Sequence, residues 1–117
     1  MAYDEVLASR IRALVATDLM VSERKMFGGL CFMRGGNMCF GVIGGDLMVR
    51  VGPDAYASAL RLPNAREMNF TGRSMRGMVY VSSAGTRDDD DLDEWLHRGL
   101  SYAASLPPKG PKAGPTF

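Results

Sequence analysis

Apolar residues follow two rhythms along this chain, one helical and one strand-like, and the order in which they alternate predicts its elements. Tyr3, Leu7, Ile11, Leu14 and Val15 recur at helical spacing. Asp4 and Glu5 open that stretch and Arg10 and Arg12 follow, the charge order a helix dipole favours, so an amphipathic helix begins the chain. After a polar joint at Ser22 to Lys25, short apolar runs at Phe27 to Met33, Met38 to Ile43 and Leu47 to Val51 are separated by glycine-rich breaks. They predict a three-stranded antiparallel meander.

Gly52-Pro53-Asp54 ends the third run and leads into a short helix over Ala55 to Leu60, closed by Leu62-Pro63. The segment "MNFTGRSMRGMVYV" offers a short strand at Met68 to Phe70, a turn at Thr71-Gly72 and a clearer strand at Met78 to Val81. The strongest periodicity comes last: Leu92, Trp95, Leu96, Gly99, Leu100 and Ala103 line one side of a helix, with Asp88 to Asp91 placed to cap its start. Beyond Leu106 the tail "PPKGPKAGPTF" has almost nothing to bury, so residues 1–106 are expected to fold as one domain and 107–117 to form a disordered Pro/Gly-rich tail.

Each glycine pair has its own backbone demand. Gly35-Gly36, followed by Asn37, and Gly44-Gly45-Asp46 stand at hairpin positions, where positive φ is needed. Gly28-Gly29 reads as the start of a strand, where glycine marks a bulge or a close approach by a backbone or a ligand. No pair leads directly into a helix, which argues against a nucleotide-phosphate cradle. If Leu30, Phe32, Phe40 and Val42 share a buried face, Cys31 and Cys39 share the other, where a disulfide is feasible without being required.

Composition narrows the class. The chain has 117 residues, 46% hydrophobic and 23% charged, the balance of a globular domain. No apolar run approaches the roughly 20 residues that cross a bilayer, and no signal-peptide pattern opens the chain, so a cytoplasmic address without membrane contact is expected. A formal net charge of +1 provides no field for steering nucleic acid. Two cysteines within apolar sequence read as reduced core thiols.

Candidate chemistry is sparse. Nothing in the sequence orients His97 toward either thiol, and two Cys with one His leave a zinc shell short, so no catalytic residue, metal or cofactor is expected. The acidic run caps a helix rather than interleaving ligands with turn residues. The nine methionines read mostly as core or partner-facing filler. The polar set of most interest is basic: Lys25, Arg50, Arg73 and Arg76, with Gly28, Gly29, Thr71 and Gly72 supplying backbone N–H groups for a phosphate or carboxylate.

The order helix, three strands, helix, two strands, helix, with "MFGG" opening the first strand, "VRVG" closing the third and "FTGRSMRGMVYV" forming the last pair, resembles the TfoX/Sxy N-terminal domain family over roughly residues 5 to 106. The resemblance implies a two-layer α+β domain, a five-stranded antiparallel sheet with helices, similar to secretion-chaperone-like folds. The best-known members are bacterial competence regulators that carry a second, helical domain and act with a cyclic-AMP-responsive transcription factor; this chain is expected to be a stand-alone member without that second domain. The expected role is a non-catalytic regulatory module working through protein contacts, with a protein partner or a homodimer. The alternative is weak nucleic-acid or small-anion binding through Arg50, Arg73 and Arg76.

Overall fold

A computed structural model of the chain describes residues 3–26, 28–70 and 73–107, with no account of the side chains at 69–70 and 73–76. Helix α1 (Glu5–Leu14) is followed by strands β1 (Val21–Met26), β2 (Gly29–Arg34), β3 (Asn37–Ile43) and β4 (Asp46–Arg50). Helix α2 (Tyr56–Leu60), strands β5 (Ala65–Phe70) and β6 (Arg73–Val81), a 3-10 turn at Ser83–Gly85 and helix α3 (Asp89–Ala104) complete the order. The α+β class is as expected. The sheet has six antiparallel strands in the order β1-β2-β3-β4-β6-β5, not five.

The extra strand is β1, which replaces the expected polar joint. Its sequence, VSERKM, has no apolar alternation, because it is an edge strand whose outward residues meet water on both faces. It pairs along its whole length with β2, from Val21 opposite Arg34 to Met26 opposite Gly29. The "MFGG" string therefore joins two strands instead of opening one. Gly28 adopts φ +74° in that turn, and Gly29 is the first residue of β2; Phe27 lies outside the described residues.

The β2–β3 hairpin contains a conflict that the chain resolves with a bulge. Gly35 and Gly36 form a two-residue turn with φ of +61° and +83°, the geometry of a tight hairpin. That turn sets Arg34 opposite Asn37 and Met33 opposite Met38, a register that would put Phe40 and Phe32 on opposite faces. One residue is dropped at Cys39, after which Phe32 faces Phe40 and Leu30 faces Val42. The phenyl rings meet at 5.4 Å.

All three helices cover one face of the sheet. Leu7, Ala8 and Ile11 of α1, Ala59 of α2, and Leu92, Trp95, Leu96 and Ala103 of α3 join Leu30, Phe32, Phe40, Val42, Leu47, Val49, Val79 and Val81 in one apolar cluster. Both long helices begin as the charge pattern predicts: Asp4 accepts from the N–H groups of Val6 and Leu7, and Asp88 from that of Asp90. α3 approaches closely at Gly99, where an added Cβ would overlap the carbonyl oxygen of Cys39. At the far end of α3 the buried Asn37 side chain donates to the Pro107 carbonyl at 2.9 Å, while residues 108–117 of the expected tail lie outside the described residues. Among the described residues no helix is long and apolar enough to cross a membrane.

Candidate functional site

The pleat sends every second residue to the face away from the helices, and that face has a composition of its own. Cys31, Met48, Met68 and Met78 form a second buried cluster, with Met26, Met33, Met38, Ile43 and Tyr80 half-buried around it. Among the described residues, six methionines thus stand on one side of the sheet, while the helix-covered cluster contains none. Among the described residues no helix side chain belongs to the methionine cluster. The methionines therefore do not fill a common core with the other apolar residues; they form a separate layer.

Strand register explains how the layer is built. Arg24, Cys31, Gly41, Met48, Tyr80 and Arg66 stand in one row across the sheet. At Gly41 there is no side chain, and the terminal methyl of Met48 occupies the space, 2.9 Å from where a Cβ would stand. Met33 and Met38 face each other in the same β2–β3 pair, nearer its turn. At the rim, Arg66 donates to Asp46 Oδ2 at 2.6 Å and to Ser82 Oγ at 2.8 Å, with its guanidinium 5.0 Å from the Tyr80 ring centroid.

The cysteines do not share a face as expected. Because Cys39 is the bulge residue, its side chain turns to the helix side, where its thiol donates to the Phe32 carbonyl at 3.1 Å; Cys31 stays on the methionine side. Both are free and buried. Burial pushes the Cys31 thiol up to about 11 and the Cys39 thiol up to about 12, so both are protonated near neutral pH and neither is an activated nucleophile. His97 is exposed on α3, beside the groove that α3 forms with α2, and has no contact with either thiol. Among the described residues no cluster of three or more His, Cys, Asp or Glu is placed to hold a metal.

The basic set is only partly brought together. Arg50 pairs with Met78 between Val49 and Val51, which face the helices; its guanidinium lies 3.5 Å from the Met38 carbonyl and 5.2 Å from the centroid of Tyr102. Lys25 pairs with Leu30 on the helix side of β1, and β1 is separated from β4 by two strands, about 14 Å at ordinary strand spacing. Thr71 and Gly72 lie outside the described residues, as do the side chains of Arg73 and Arg76. Gly29 has a structural explanation: a Cβ there would overlap the Val42 carbonyl oxygen and crowd the Ile43 side chain, so close strand contact requires glycine.

Two features escaped sequence reasoning. One is the segregation of methionine, whose only signal was that Met26, Met33, Met38, Met48, Met68 and Met78 all fall on one face once the register is known. The other is the space between α2 and α3, which depends on small residues distant in sequence.

A mixed α+β layer with one helix-covered face and one methionine face defines the class as a small two-layer domain. The model of the TfoX N-terminal domain matches residues 14–103, and the chain belongs to that family. No curated protein and no solved structure matches it significantly.

Proposed function

We propose that this chain is a non-catalytic, cytoplasmic interaction module in the manner of the competence-regulator domains it resembles, acting through protein contacts made by its methionine face. A second copy of the chain is the first partner this reading names. The observation that carries it is the separation of six methionines from the helix-covered core. The helix-facing side is packed with branched and aromatic side chains that specify one arrangement. The other side is built from unbranched thioethers, which change shape at little cost and suit a surface that must fit a second surface. An antiparallel sheet usually turns polar residues outward on the face its helices do not cover; here polar side chains such as Arg24 and Arg66 stand toward the edges, and Met26, Met33 and Met38 are the half-buried methionines beside a buried apolar middle.

Light scattering on the eluting protein across a concentration series tests the reading. The mass should double toward high micromolar concentration, and the double variant Met33→Lys with Met38→Glu should remain a monomer. That pair replaces the apolar contact with a cross-strand ion pair, so the strand register is retained while the surface becomes polar. A strict monomer at high micromolar concentration, or a dimer that survives the double substitution, would contradict it.

A further inference from the structure

On the helix side, away from the methionine face, α2 and α3 leave between them a groove of about 570 Å³, in the range of small-molecule sites. The groove exists because the facing residues are small. Ala55 and Ser58 form one wall and Ser101 lies on the other, where larger side chains would have filled the space. Val51, Ala59 and Leu62 give the groove an apolar floor. Tyr102 forms a wall whose position is set by the backbone, since its ring lies where a Cβ on Gly52 would be.

Beside the hydroxyls of Ser58, Ser101 and Tyr102, the polar groups at the groove are basic. His97 and Arg98 line it, and none of its lining residues is acidic. Arg98 rests with its guanidinium 4.7 Å from the centroid of Trp95. The ion pairs among the described residues use Arg10, Arg12, Arg34 and Arg66, so Arg98 and Arg50 are left without a carboxylate. Glu94 and Asp91 line the neighbouring cleft that Arg98 also borders, yet neither comes within ion-pair distance of it. Arg50 lies 5.2 Å from the Tyr102 ring centroid but does not line the groove. A guanidinium on an aromatic face, next to an apolar trough, keeps its donors free for a planar anion.

We propose that this groove binds a small amphipathic carboxylate, with an apolar chain or ring lying on Val51, Ala59 and Leu62 and the carboxylate held at Arg98 and His97. The site is separate from the methionine face, so it stands or falls independently of the protein-contact reading.

Octanoate, 1-octanol and octylammonium, each below its micellar concentration, are suitable probes, because they share a chain and differ in head group. Trp95 is the only tryptophan in the chain and reports on its own stacking with Arg98. Octanoate should give a saturable change in Trp95 fluorescence, with 1-octanol about tenfold weaker and octylammonium weaker still, the difference expected of a charge-assisted hydrogen bond. By calorimetry Arg98→Gln should weaken octanoate about tenfold and leave 1-octanol unchanged. Ser101→Phe, at an exposed helix position, should abolish binding of both while the melting temperature and the self-association of the methionine face stay as in the wild type. Equal affinity for octanoate and 1-octanol, wild-type binding by Ser101→Phe, or no saturable binding of octanoate would overturn the proposal.

Discussion

At Gly99 two physical rules oppose each other. Glycine inside a helix costs about 1 kcal/mol relative to alanine, so helix propensity alone predicts that Gly99→Ala stabilises the protein. The helix, however, meets the sheet at this residue: a Cβ would overlap the Cys39 carbonyl oxygen and stand 3.0 Å from the Phe40 ring. A backbone carbonyl in a bulge cannot swing aside as a flexible side chain can. The contact should therefore win, and Gly99→Ala should lower stability by about 1 to 3 kcal/mol in urea unfolding. A gain in stability would mean that α3 does not lie so close to β3. The sequence shows Gly99 on the apolar side of the last helix, but its reason lies in Cys39, sixty residues earlier, and no local pattern carries that information.

Strand β1 shows why an element can be invisible in the sequence and firm in the structure. Its four middle residues are polar because they are exposed on both faces, and what holds it is pairing with β2 together with two ion pairs. Arg12 of α1 donates to both carboxylate oxygens of Glu23, at 2.7 and 3.0 Å. Arg34 at the end of β2 donates to Asp18 at 2.9 Å, while the other oxygen of Asp18 accepts from the Met20 N–H at 3.0 Å, fixing the turn into β1. The hydrogen bond from Arg34, then that from Met20, holds the Asp18 carboxyl below its ordinary value of 3.8. Arg12 likewise holds Glu23 below 4.5, against the opposing effect of burial. Because both are depressed in the folded state, their contribution is complete above the ordinary values and is lost as pH falls through the depressed ones. The melting temperature should therefore fall on acidification below about pH 4.5, and Asp18→Asn should flatten part of that slope at a cost of about 1 kcal/mol or less near neutrality. An unchanged acid slope in Asp18→Asn would show that the clamp contributes nothing. The helices and the apolar strands, in contrast, were legible, because burial on one face imposes a period that the residues must follow.

For the molecule as a whole, the sequence carries the α+β class and the family, but not the division of its apolar residues into two layers. Leucine, valine and methionine look alike to a hydropathy pattern, and a single bulge at Cys39 decides which face a residue joins. Register separates them. If the domain works through protein contacts, the helix-covered layer is the fixed core and the methionine layer is the surface that meets the partner. NMR of protein labelled at the methionine ε-methyl groups tests this most directly, since each methionine gives its own signal. On raising the concentration into the high micromolar range, the signals of Met26, Met33 and Met38 should shift together, while isoleucine, leucine and valine methyl signals of the helix-covered core stay in place. Methionine signals that do not move, or shifts centred on the helices instead, would contradict the account.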